Sequence, residues 1–145
     1  MVEPLKAQMS DRAALFGKLR DRYGHGVLDV VARHTVESTK KKLEAADLER
    51  RDLGTVMEIL WDRMVEGTEF DIIERTDEVL RLRASKCLFA DEMRRLGAAD
   101  IGSAFYCAYD DGFCQGLNPA IRFTRTKTLM GGDDCCDHTY ELRID

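Results

Sequence analysis

The spacing of apolar residues changes near residue 68, and that change argues against both an all-helical and an all-β fold. Before it, Ala13, Phe16, Leu19 and Tyr23 recur in steps of three or four, and Val27, Val30, Val31 and His34 share one helical face with charges opposite. Val56, Ile59, Leu60 and Met64 continue the helical period as far as Gly67. Beyond it, Phe70 and Ile72 alternate with Asp71 and Ile73, and Leu80, Leu82 and Ala84 alternate with Arg81 and Arg83. Alternation of this kind puts one row of side chains on each face of a strand, so two strands joined around Arg75-Thr76-Asp77 are expected.

Punctuation sharpens the picture. The only prolines, Pro4 and Pro119, leave room for long helices. Ser10 or Asp11 is the expected cap of a first helix that stops at Gly24-His25-Gly26, and Asp52 the cap of a third that ends at Gly67. Cys87 to Leu96 reads as a short helix closed by Gly97. Asp100 is expected to cap a longer one, Ile101 to Leu117, closed by Asn118-Pro119. Residues 121–128 alternate as a third strand. After the turn Met130-Gly131-Gly132-Asp133-Asp134, Cys136, His138, Tyr140, Leu142 and Ile144 alternate as a fourth. At 145 residues the chain is expected to be a single domain over 1–145, with a helical part at 1–67 and a sheet- and site-bearing part at 68–145. The fold class is α+β: N-terminal helices followed by a four-stranded, largely antiparallel sheet with packed helices.

Composition narrows the partners. A formal net charge of −5 speaks against nucleic acid, whose phosphates need a basic surface. The one basic cluster, Lys40-Lys41-Lys42, is flanked by Glu37 and Glu44 and reads as a solvated helix face. No eighteen-residue apolar run and no secretory pattern is seen, so no membrane contact and a cytoplasmic location are expected. A homo-oligomer is left open. In a reducing compartment the five cysteines serve as core filler, metal ligands or nucleophiles rather than disulfides.

Four of those cysteines, Cys107, Cys114, Cys135 and Cys136, fall between residues 107 and 136. Cys107, Asp110, Asp111 and Cys114 are spaced to share one helical face. The bland interpretation is a solvated acidic stripe edged by two apolar thiols. The functional one is a site wall with Cys107 as thiol or thiolate and Asp110 as proton acceptor or metal ligand. Cys136 and His138 share a strand face, as a nucleophile–base pair or metal ligands would, although no zinc-finger spacing is present; a buried cysteine and a half-exposed histidine fit equally. Cys87, at a helix start, is either an acidified or a core thiol. Cys135 faces the other way. Arg125 and Lys127 share a face from which Arg125 could grip a carboxylate, or else pair across the sheet with Glu141 or Asp137. His25 and His34 read as structural.

Four ordered blocks then bring a family into view. Cys107-Ala-Tyr-Asp110, Gly116-Leu-Asn118-Pro119, Thr124-Arg125-Thr126-Lys127-Thr128-Leu129 and Gly132-Asp133-Asp134-Cys135-Cys136-Asp137 resemble the L-2-amino-thiazoline-4-carboxylic acid hydrolase family over about residues 85–145, with Cys87 at the place of a family cysteine. The resemblance implies a hydrolase that adds water to a cyclic amidine carbon, breaks its bond to sulfur and releases N-carbamoyl-cysteine. The substrate is then a small carboxylate-bearing molecule, with Asn118, Arg125 and Lys127 as binding residues and Cys107, Asp110, Cys136 and His138 as catalytic ones. Two arrangements follow. Cys107 acts as a thiolate nucleophile assisted by Asp110 or His138, or a divalent metal such as zinc sits among Cys87, Cys107 and Cys136 and acidifies a water. The metal is favoured, because an aspartate beside a cysteine raises the thiol pKa. The same three cysteines also resemble the pattern of vinyl-reductase-type ligand-binding domains, which implies a metal site and supports the alternative of a non-catalytic sensor module. After Cys136-Asp137 the family carries aromatic and arginine residues where this chain has His138-Thr139, a departure that bears on substrate contacts.

Overall fold

The computed structural model describes residues 2–144. Helix α1 (Glu3–Tyr23) opens with Pro4 in its first turn, where a missing N–H costs nothing, and ends at Gly24, whose φ of 87° suits glycine. It begins a full two turns before the expected Ser10–Asp11 cap. Helix α2 (Gly26–Ala45) buries Leu28, Val31, Thr35, Thr39 and Leu43, while Val30 and His34 are exposed. The expected face was therefore rotated, because threonines supply two of the inward positions. Thr35 donates its hydroxyl to the Val31 carbonyl at 2.9 Å, so its polar atom is satisfied inside the helix.

Helix α3 (Leu53–Val56) is capped by Asp52, whose carboxylate accepts from the Thr55 amide at 3.0 Å. It widens into a π segment, Met57–Trp61, and ends there rather than at Gly67. Strands β1 (Glu69–Arg75) and β2 (Val79–Lys86) form the expected hairpin, with the Thr76 hydroxyl accepting from the Val79 amide at 2.9 Å. Helix α4 (Leu88–Arg95) follows Cys87 directly.

Residues 99–117 run as one helix in three parts: α5 (Ala99–Gly102), a π segment (Ser103–Cys107) and α6 (Ala108–Leu117). Asp100 lies inside this helix rather than at its cap, and pairs with Arg20 of α1 at 2.8 Å. Strand β3 is short, Arg122–Arg125, instead of reaching residue 128. The cause is Asp137, whose carboxylate accepts from the amides of Thr126 at 2.8 Å and Lys127 at 2.6 Å and from the Thr126 hydroxyl, turning the chain off the sheet. Strand β4 spans Cys136–Glu141.

The sheet order is β1-β2-β4-β3, antiparallel throughout, so α+β is the observed class. Its inner face carries Leu80, Leu82, Ala84, His138 and Tyr140 against Phe113 and Leu117 of α6. A second cluster, around Met9, Met93, Ile101 and Met130, packs α1 and α4 on the long helix. Helices α2 and α6 meet through Gly112 and Gly116: a Cβ at Gly116 would stand 2.3 Å from the Lys40 carbonyl oxygen. Arg51 ties the two helix ends together, donating to the carbonyls of Leu43, Ala46, Gly116 and Leu117. Among the described residues no helix is long and apolar enough to cross a membrane.

Candidate active site

Between the two apolar clusters lies a cavity of about 310 Å³, the size of a small-ligand site. Its walls are mostly apolar: Trp61 and Leu60 from the first π segment, Phe89 and Ala90 from α4, Phe105 and Tyr106 from the second π segment. Cys87, Cys107 and Cys136 all reach it, as do Asp110, Arg125 and His138. Thiols from the long helix and the last strand thus line one cavity, with an acid beside them.

Arg125 ends β3 and points across to α6. Its Nη1 lies 2.9 Å from Asp110 Oδ2 and donates to the Cys107 carbonyl at 3.4 Å. Both side chains of the pair are 15% exposed, so bulk water does little to screen it. Burial pushes the Asp110 carboxyl up to about 7, against the opposing pull of the Arg125 guanidinium. Arg125 therefore pairs with the helix, not across the sheet with Glu141 or Asp137.

Burial also sets the state of the thiols. It drives Cys107 up to about 12, with Arg125 too weak an opposing charge to prevent it. Cys136 is raised for the same reason, though its sulfur accepts from the Leu129 amide at 3.2 Å. At Cys87 the amides of Phe89 and Ala90 favour the thiolate, as its position before α4 suggested, but desolvation outweighs them. Among the described residues no three His, Cys, Asp or Glu side chains are gathered closely enough to hold a metal ion.

His138 is 5% exposed rather than half-exposed, because its row of the sheet faces the core. Burial lowers its pKa to about 3 and keeps it neutral. Its Nδ1 lies 3.1 Å from Tyr140 Oη, which accepts from Trp61 Nε1 at 3.2 Å. The Thr68 hydroxyl, also on the cavity wall, is buried without a hydrogen-bond partner.

Other expected site residues lie elsewhere. Asn118 is consumed by the chain reversal after α6, donating to the Arg51 carbonyl and accepting from the Ala120 amide, both at 2.9 Å. Lys127, freed from the strand by Asp137, is half-exposed and 3.6 Å from Asp134. Cys114 is buried in the first core cluster, and Asp111 sits on the flank, 3.9 Å from Arg125. Cys135 is buried away from the cavity. The aromatic wall was not anticipated, although Phe105, Tyr106 and Tyr109 beside Cys107 carried a signal: aromatic side chains at helical spacing around a cysteine–acid pair.

A family model described as L-2-amino-thiazoline-4-carboxylic acid hydrolase matches residues 5–140. The chain belongs to this family. No curated protein and no solved structure matches it. The match to the L-2-amino-thiazoline-4-carboxylic acid hydrolase family begins inside α1, well before the blocks near the C-terminus, and so takes in the helical half. Leu5, at its start, lines the cavity.

Proposed function

We propose that the chain is a hydrolase that opens a small carboxylate-bearing cyclic amidine inside this cavity. The observation that carries the reading is the Asp110–Arg125 pair, enclosed in an otherwise apolar pocket, with a carboxyl whose affinity for protons is matched to neutral pH. Arg125 keeps N–H groups beyond those used on Asp110 and offers them to the substrate carboxylate. Water adds to the ring carbon between the sulfur and the nitrogen. Asp110 takes one water proton and delivers it to the ring nitrogen, which gains a lone pair as its double bond to carbon becomes single. The new carbon–oxygen bond then becomes a carbonyl as the carbon–sulfur bond breaks, and the remaining hydroxyl proton goes to the departing sulfur. The product carries a ureido group and a free thiol.

The cavity thiols enter this reading as protonated wall rather than as nucleophiles. A thiol at about 12 is ionised in roughly one molecule in 10⁵ at pH 7. The test is turnover of 2-amino-thiazoline-4-carboxylate by the full chain, followed by release of the product thiol. Asp110→Asn is expected to lower kcat by about 10²–10⁴-fold with the fold intact. Parent-like turnover in that variant rejects Asp110 as the proton carrier. The apolar wall supports a second reading, a non-catalytic binding module, and saturable ligand binding without any turnover would favour it.

A further inference from the structure

We propose that Trp61 and Tyr140 hold His138 in its Nε2–H tautomer, so that the imidazole offers the cavity one neutral hydrogen-bond donor and selects a ligand presenting an acceptor there. The argument is a count of hydrogens. An indole nitrogen only donates, so in the Trp61–Tyr140 contact of 3.2 Å the phenol oxygen accepts. Tyr140 is fully buried, and among the described residues its oxygen has two partners, Trp61 Nε1 and His138 Nδ1. Its own O–H therefore goes to His138 Nδ1, 3.1 Å away. The opposite choice would leave a buried hydroxyl hydrogen unpaired, at a cost of about 1–3 kcal/mol. With Nδ1 accepting, the proton of a neutral imidazole sits on Nε2.

His138 is 95% enclosed but lines the pocket, and its Nε2 makes no hydrogen bond to any described residue. The one side-chain nitrogen or oxygen both sealed from solvent and unpartnered among the described residues is Thr68 Oγ1, so Nε2 retains access to the cavity. The ring itself is clamped, edge-on to Trp61 with centroids 4.9 Å apart and 5.4 Å from Phe123. Trp61 and Tyr140 are thus positioning residues acting through His138. A protonated Nε2 cannot take a proton from water, which removes His138 as the general base expected from its pairing with Cys136.

Within the proposed hydrolysis, on which this part rests, the Nε2–H faces the ring nitrogen, which gains electron density when water adds. The tautomer itself is read without turnover. Nitrogen-15 NMR of the full chain has only three histidines to resolve. His138 is expected to show a pyridine-type Nδ1 and a protonated Nε2, unchanged between pH 5 and pH 8. A protonated Nδ1 in the parent protein overturns the proposal outright. Tyr140→Phe is expected to move both ring nitrogens toward averaged values, and an unmoved pattern in that folded variant rejects the positioning role. If the chain turns over the aminothiazoline carboxylate, His138→Gln, which keeps a donor, should stay within about tenfold of the parent, while His138→Leu falls by about 10²–10³-fold. Equal loss in the two overturns the donor role. An Nε2–H tautomer in a protein without turnover sinks the hydrolase reading alone; an Nδ1–H tautomer in an active one sinks this proposal alone.

Discussion

Replacing Gly116 by alanine tests the packing on which the site depends. Alanine in a helix interior is favoured over glycine by about 0.8–1.0 kcal/mol, so propensity alone predicts a more stable protein. Geometry predicts the reverse. The new Cβ would stand 2.3 Å from the Lys40 carbonyl oxygen and 2.8 Å from Leu43 Cβ and Lys40 Cα, where ordinary contact starts at 3.4 Å. Two of these three obstacles are backbone atoms of α2, which no rotamer change can move. The helices must part by about 1 Å, and strain of this kind costs about 1–3 kcal/mol, here toward the upper end. Gly116→Ala is therefore expected to be less stable than the parent by about 2 kcal/mol in urea unfolding, after the propensity gain is subtracted. Gly112→Ala, 2.5 Å from the Val36 carbonyl oxygen, should behave likewise. The double variant should lose less than the two losses together, because one separation relieves both clashes. Gly17 is the control: its Cβ would meet nothing closer than 3.9 Å, so Gly17→Ala should gain about 0.5–1 kcal/mol. A Gly116→Ala protein as stable as Gly17→Ala would refute the close-approach argument.

Alkylation provides another check: with Cys107 at about 12 and Cys87 and Cys136 also raised, iodoacetamide at pH 7 should modify the folded chain far more slowly than the denatured one. Rapid labelling of Cys107 in the folded protein would restore the thiolate nucleophile. Chelators should leave any aminothiazoline turnover unchanged, because the proposed steps use Asp110 and Arg125 and no group of three His, Cys, Asp or Glu side chains is gathered among the described residues; loss of activity restored by zinc would reverse that expectation. Stability against pH has two opposing contributions. His138 at about 3 folded and 6.5 unfolded binds protons preferentially when unfolded, so its contribution is full above 6.5 and lost as pH falls toward 3. Asp110 at about 7 folded and 3.8 unfolded does the opposite, its contribution being full below 3.8 and lost as pH rises through 7. Between about pH 4 and 6.5 the two oppose each other, and thermal unfolding of His138→Gln should show stability rising on acidification there. A parent-like profile in that variant would remove His138 from the balance.

The parts of this fold that could be read in the sequence are those carried by strong apolar contrast. The β1–β2 hairpin is of this kind, since Leu80, Leu82 and Ala84 are apolar where Arg81 and Arg83 are charged. The α2–α6 contact is not, because it depends on Gly112, Gly116, Thr35 and Thr39, residues that leave no hydrophobic trace. Strand β3 looked longer than it is because alternation cannot reveal a carboxylate such as that of Asp137 capturing the backbone amides of Thr126 and Lys127 just past Arg125. At the site, Cys87, Cys107, Asp110, Arg125, Cys136 and His138 could be named because each carries its chemistry in its side chain. Trp61 and Tyr140 could not, for their importance lies in a hydrogen bond between positions 79 residues apart. Asn118 and Lys127 shared the family blocks, but Asn118 is held by the turn at Ala120 and by the Arg51 carbonyl, and Lys127 by a surface contact.

The widened turn at Ser103–Cys107, unlike the one that ends the Leu53–Trp61 helix, lies between two α-helical segments and amounts to one surplus residue in an otherwise regular helix. An α-helix advances by 100° per residue, so this surplus sets the angular phase between the two ends of the helix. Excising a single residue from 103–107 would leave an unbroken helix, satisfied in its backbone, yet turn the Ala99–Gly102 segment by about a quarter of a revolution relative to Asp110. Point substitutions there should alter the cavity wall made by Phe105, Tyr106 and Cys107 but leave that phase unchanged, whereas a one-residue deletion should disengage Ile101 and Arg20's partner Asp100 from α1 while Asp110 stays beside Arg125. The phase of the long helix is encoded in the number of those positions, separately from what their side chains do.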